Sequence, residues 1–256
     1  MKKRARVAHW LFIICFPLLL LTTTVRLLVN SIHIYEYGFH RYAVSEVTGI
    51  DESQLRQVAI RLIDYFNSSV DTPQIKVVKD GKYVELFHHY ELIHLNDVRA
   101  LFRLDYLVQS AVLSYIVVYA LLLSLWKKRG CQDLAKGIAQ GCIVTLVIVA
   151  LLGVISIFNF EWLFTQFHHI GFRNPYWMLD PSKDCLIMLF PPGFWQDVAI
   201  IAAGTIVVEA VLLGGLAWTA VFVSQRRTRL TKVDTDKKLR IPPISCRPFS
   251  DRQKST

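Results

Sequence analysis

A chain of 256 residues with 53% hydrophobic content, its apolar residues gathered in blocks, is too oily for one ordinary soluble domain. The formal net charge of +9 comes largely from Lys and Arg beside those blocks, so it needs no nucleic-acid partner. Composition alone therefore points to an α-helical membrane protein.

Four blocks, 9–32, 106–126, 138–160 and 198–223, are long enough to cross a hydrocarbon core of about 30 Å, which takes roughly 20 helical residues. The first segment, 1–32, carries Lys2, Lys3, Arg4 and Arg6 ahead of its span. That basic start suits a signal peptide. The apolar run continues through Val29 with no small-residue cleavage site after it, so a retained anchor is expected.

Residues 33–104 have ordinary polarity and read as a small α+β domain outside the bilayer. Asp51 can cap a helix running to about Phe66, with Leu55, Val58, Ala59, Leu62, Ile63 and Phe66 on one stripe at a 3.6-residue period. Residues 74–78 and 82–87 flank Asp80-Gly81, a hairpin signal. After Phe87 the chain turns helical again and should run into the second span.

Residues 105–223 hold the second to fourth spans, with a loop at 161–197. Lys127, Lys128, Arg129 and Lys136 lie between the second and third spans, and Arg226, Arg227 and Arg229 follow the fourth. Basic flanks stay in the cytoplasm, so both termini are expected there and 31–104 and 161–197 on the outer side. Trp10, Trp126 and Trp218 then fall at the inner boundary and Trp162, Trp177 and Trp195 at the outer one, as an aromatic belt requires. The tail 224–256, rich in Lys, Arg and Pro, reads as disordered and basic, with attraction to anionic lipid as a secondary property. Of the five cysteines only Cys185 falls outside, so no disulfide is expected there.

Seven of the eight histidines fall on the predicted outer side, and five of them sit in two clusters beside spans. In the first cluster, Glu91, His94 and Asp97 follow at i, i+3 spacing, so on a helix a carboxylate could orient the imidazole from either side. A solvated helix face has the same spacing. The second cluster, from Phe167 to Ile187, carries His168, His169, Asn174, Trp177, Asp180 and Asp184. An interfacial anchor explains its aromatics but not Asn, Asp and His together. Arg26, about a turn and a half from the outer end of the first span, can snorkel to headgroups or bind a substrate anion. Glu209, deep in the fourth span, reads as a protonated carboxyl inside the bundle or as part of a proton relay.

The pairing of Glu91, His94, Asp97 and Val98 before the second span with Phe167, His168, Phe172, Asn174, Trp177, Asp180 and Pro181 after the third resembles the lipoprotein intramolecular transacylase family. Asp184 to Ile187 and Phe194-Trp195 are similar too, and the likeness covers about 9–223. Gly171 departs from it, standing where an aromatic is expected beside His168.

The resemblance implies a four-span bacterial membrane acyltransferase without cofactor or metal. Its partners would be diacylglyceryl lipoproteins and outer-leaflet lipid of the cell membrane. It would move the sn-2 acyl chain of the diacylglyceryl cysteine to that cysteine's own α-amino group, with His94 and His168 as the catalytic pair. Glu91, Asp97, His169, Asn174, Trp177 and Asp184 would support them, and Arg26 is a further candidate for substrate binding. The absence of a Gly-x-Ser-x-Gly elbow fits a route with no enzyme nucleophile. Three rivals stand beside this reading. A metal-dependent membrane hydrolase would use His94, His168 and His169 with Asp97 or Glu91, yet no His-Glu-x-x-His spacing is present. A haem protein would need facing histidines inside the spans. A non-catalytic assembly factor would hold a partner through the outer domain.

Overall fold

The computed structural model describes residues 2–70, 72–79, 81–126 and 130–239, with the backbone alone at 2, 4, 126 and 227–239. Asp80 of the expected turn, Lys127, Lys128 and Arg129 of the basic loop, and the tail 240–256 lie outside the described residues.

Long apolar runs become long helices. The first is α1 (Lys2–Val29), followed by three shorter helices, α2 (Ile32–Arg41), α3 (Val44–Thr48) and α4 (Glu52–Asn67). Strands β1 (Lys76–Lys79) and β2 (Lys82–Glu85) come next, then α5 (His89–Trp126) and α6 (Gly130–Gly171). A short helix, α7 (Cys185–Leu189), precedes α8 (Pro192–Leu239). Four stretches are long and apolar enough to cross a membrane: Ala5–Val29, His89–Leu125, Gly130–Gly171 and Pro192–Arg226.

Three of these helices, α5, α6 and α8, are much longer than a bilayer is thick. At about 1.5 Å per residue, the 38 residues of α5 span ~57 Å and the 42 of α6 span ~63 Å, against ~30 Å of hydrocarbon. The first part of α5 and the last part of α6 therefore stand clear of the apolar runs at 106–126 and 138–160.

Within the bundle, α1 packs against α5, α6 and α8, and α6 lies along α8. Gly141 lets α6 approach α1 closely, since a Cβ there would sit 2.6 Å from Phe16. Buried Phe12, Phe16 and Leu20 of α1 meet Cys142, Ile206 and Ala210. The outward faces remain apolar: Ile157 and Phe158 are 81% and 84% exposed, which a lipid surround tolerates and water does not.

The residues between α1 and α5 build a second core. Asp51 caps α4, its side chain accepting the Ser53 N–H at 2.9 Å, and Leu55, Val58, Ala59, Leu62 and Phe66 are buried as the stripe required. They join Phe39 of α2, Ile75 and Val77, Leu95 of α5, Leu189 of α7 and Phe194 of α8 in one cluster. Burying each such side chain contributes about 1.5–3 kcal/mol. Gly81, at φ +74°, forms part of the hairpin turn, and Val77 pairs with Val84 across β1 and β2.

The α+β expectation for 33–104 holds only in part. The sheet is a single two-stranded hairpin, and helices α2, α3 and α4 supply most of the fold. The outer segment also has no boundary at 104, because α5 is one helix from His89 into the span. The loop expected at 161–197 likewise begins as helix, up to Gly171. Residues 224–239, read as part of a disordered tail, continue α8. Between Gln225 and Leu239 there is no Pro or Gly to stop a helix once the span has nucleated it.

Candidate active site

The described ends of α5 and α6 bring the two histidine clusters together. His94 lies on α5 about one and a half turns after its start, twelve residues ahead of the apolar run at 106, and His168 lies in the last turn of α6. Their ring centroids are 6.2 Å apart, and each residue keeps only 7% of its surface exposed.

An aromatic box holds the pair. Phe172 meets the His94 ring edge-on at 4.8 Å and lies 5.3 Å from His168, while Phe164 and Trp177 flank His168 at 4.1 and 4.9 Å. The Nδ1 of His168 lies 2.7 Å from the Phe164 carbonyl oxygen. A carbonyl only accepts, so Nδ1 carries the hydrogen and donates it, leaving the Nε2 lone pair free. The buried Nδ1 of His94 has no hydrogen-bond partner among the described residues. Neither ring belongs to an ion pair there, and a cationic imidazole in so apolar a box would have no carboxylate in direct contact. The neutral form is the resident one.

The carboxylates expected to orient His94 have other partners. Glu91 is fully buried: its Oε2 accepts the His88 backbone N–H at 2.7 Å and His88 Nδ1–H at 2.9 Å, and its Oε1 accepts the Leu186 N–H at 2.7 Å. One carboxylate thus satisfies the N-terminus of α5, as the third residue of a capping box does, and the N-terminus of α7 as well. Asp97 accepts the Asn174 amide at 2.7 Å, and Asn174 Oδ1 in turn accepts the Tyr176 N–H at 3.1 Å. These bonds tie the segment after α6 to α5 and hold Trp177 against His168. The i, i+3 spacing made the carboxylates neighbours of His94, but backbone N–H groups of His88 and Leu186 and the Asn174 amide take up their oxygens instead.

Asp184, at 2% exposure, accepts the Tyr90 hydroxyl on Oδ1 and the Asp180 N–H at 2.7 Å on Oδ2. The ligand atoms of His88, Glu91 and Asp184 lie within 4.8 Å of one another, close enough to hold a metal ion. The two carboxylates already accept from His88, Leu186, Tyr90 and Asp180, so the cluster is built as a clasp between α5 and the segment before α8. Burial pushes the Cys185 thiol pKa up, which keeps it a thiol rather than a nucleophilic thiolate.

The remaining candidates stand further off. His169 is exposed and meets Trp177 edge-on at 5.2 Å. Arg26 donates to Gln109 at 2.8 Å and sits 4.6 Å over the Tyr106 ring, about 18 Å along α5 from His94. Glu209 accepts from Thr24 at 3.4 Å inside the bundle. Sequence reasoning missed His88, Tyr90 and Phe164; the Phe160, Phe164, His168 stripe at i, i+4 is the signal that could have shown Phe164.

A family model described as the lipoprotein intramolecular transacylase Lit matches residues 10–195, well over half of the chain. The chain belongs to this family. No curated protein matches it. Lit from Bacillus cereus, a membrane-integral lipoprotein intramolecular transacylase solved in meso, superposes with a TM-score of 0.75 at 19% identity, covering 89% of this chain and all (100%) of that one. Two histidine variants of that protein match at TM-scores of 0.71 and 0.70, with 18% and 20% identity; each covers 89% of this chain, and 96% and 97% of their own chains are matched. At these identities the superposition speaks for the fold: this Lit family chain shares the four long helices and the segments between them.

Proposed function

We propose that this chain is a lipoprotein intramolecular transacylase, transferring the sn-2 acyl group of a diacylglyceryl cysteine to the α-amino group of the same cysteine. The observation that carries the reading is the meeting of His94 and His168 at one end of the bundle, with Nε2 of His168 free to take a proton.

The parts suit the chemistry. An α-amine with a pKa near ~8 must lose a proton as its nitrogen attacks the ester carbonyl, and a neutral imidazole can take it. The new N–C bond forms, the C–O bond to the glycerol sn-2 oxygen breaks, and that oxygen leaves needing a proton. His168 is the base for the amine, and the proton it takes is relayed through His94, which also stabilises the carbonyl oxygen, to the departing glycerol oxygen, so that both rings end neutral. Because ester and amine belong to one substrate, positioning is the enzyme's main task, and no enzyme nucleophile is required. Asn174, Asp97 and Trp177 hold the histidine pair in place, and the Glu91 and Asp184 clasp fixes the elements around it.

The test is direct. Expressed in a bacterial host that makes diacylglyceryl lipoproteins and lacks this activity, the chain should convert their N-terminal peptides to the N-acyl, S-monoacylglyceryl form, read by mass spectrometry. Unchanged peptides at full membrane expression would refute the assignment.

The same reading places the histidine pair at the outer leaflet of the cell membrane with both termini in the cytoplasm. Support comes from the basic residues beside the spans and from the diacylglyceryl chains, which at ~0.8 kcal/mol per CH₂ must stay in lipid while the headgroup reaches the pair. Cysteines placed at the exposed positions Tyr83 and Pro175 should react with an impermeant maleimide in intact cells, and the exposed native Cys131 should not. Labelling of Cys131 from outside would invert the topology.

A further inference from the structure

The apolar run that becomes α6 looks continuous in sequence, but the helix is broken inside it. Asn159 has φ −158° and ψ 73°, extended rather than helical, nine residues before His168. Its side-chain Oδ1 accepts the Trp162 backbone N–H at 3.0 Å, the bond an N-cap makes to the third residue of a new helix. Residues 160–171 are therefore a second helical segment started by Asn159, and its direction is set at that residue rather than by the span below.

This segment carries one half of the reacting pair. Phe160 lies 5.9 Å from Phe164, and Phe164 lies 4.1 Å from the His168 ring and accepts its Nδ1–H. The ladder runs from the first residue after the break to the imidazole along one face, at i, i+4 steps. A straight α6 would carry the same ladder in a different direction, away from the line that brings His168 within 6.2 Å of His94.

We propose that Asn159 is a positioning residue for the transacylase reaction: by starting a separately aimed segment, it turns His168 and its free Nε2 toward His94. The proposal rests on the reading of His94 and His168 as the reacting pair. Ser and Asp can cap as Asn does, whereas Ala cannot and Leu favours continuing the helix.

The experiment compares Asn159→Ser, Asn159→Asp, Asn159→Ala and Asn159→Leu with wild type in the full-length purified protein, turning over a diacylglyceryl lipopeptide. Asn159→Ala and Asn159→Leu should lose at least tenfold in kcat with KM within about twofold, while Asn159→Ser keeps kcat within about threefold. Diethyl pyrocarbonate modification of His168, read by peptide mass spectrometry, should speed up in the two cap-less variants, because a re-aimed ring leaves its box. Wild-type kcat in Asn159→Ala, or equal losses in Asn159→Ser and Asn159→Ala, would overturn the proposal. If His168→Ala retains turnover, the reading of the pair falls, while the labelling rates still decide whether Asn159 aims the ring.

Discussion

Alanine at either His94 or His168 is expected to lower turnover by at least about 100-fold, the usual contribution of a general acid or base. Both rings are buried, so the loss has to be separated from a packing defect, which at such sites costs about 1–3 kcal/mol. His168→Phe provides the separation. Its ring fits among Phe164, Phe172 and Trp177, keeps the aromatic contacts and removes both nitrogens. A folded, inactive His168→Phe protein is the expected result. His89→Ala and His169→Ala, at exposed positions, should lose less than about tenfold, since neither ring belongs to the buried pair. Near-normal production of N-acyl, S-monoacylglyceryl lipoprotein by a well-expressed His168→Ala variant would dispose of the mechanism.

The second large effect should appear in stability. Glu91→Ala strips the His88 and Leu186 backbone N–H groups of a fully buried carboxylate. Charge-assisted bonds of this kind contribute about 1.5–3 kcal/mol each, so the variant should lose roughly 3 kcal/mol or more of unfolding free energy in detergent. The loss should be local as well as global. With α7 released from α5, protease should cut sooner within 173–184, and turnover should fall through misplacement of Trp177. Glu91→Gln, which keeps the shape and one acceptor, should fall between. A Glu91→Ala protein as stable as wild type would show that the two helix starts find other acceptors and that the clasp is not needed.

How far these features were legible follows from their range along the chain. The four spans, the Asp51 cap and the α4 stripe are local patterns of 26 residues or fewer, and each becomes an element close to where its pattern lies. His94 and His168 were legible as a pair only through the resemblance, because nothing in the spacing of one cluster refers to the other. The long-range partners of Glu91 and Asp97 were not legible at all. A helical period says which side chains share a face, but the Leu186 N–H and the Asn174 amide arrive from another part of the chain, and their presence decides where each carboxylate turns. Helices α2 and α3 escaped notice because they are short and amphipathic in a polar segment. The break at Asn159 is hidden because no Pro or Gly marks it and hydrophobic residues continue on both sides.

The unbroken helix α5 also limits how chains of this family can change in length. His94 and the membrane-embedded residues after 105 ride on one rod, with no flexible joint between them to absorb an extra residue. A single inserted residue would swing His94 by about 100° around the helix axis and lift it by about 1.5 Å, taking it off the face that looks toward His168. Insertions and deletions there are tolerable only near whole turns, whereas the short stretch between Trp177, which packs on His168, and the Asp180–Asp184 turn can lengthen without moving either imidazole. Drift in chain length should therefore collect in that stretch, and the interval between His94 and the start of the hydrocarbon should behave as a ruler.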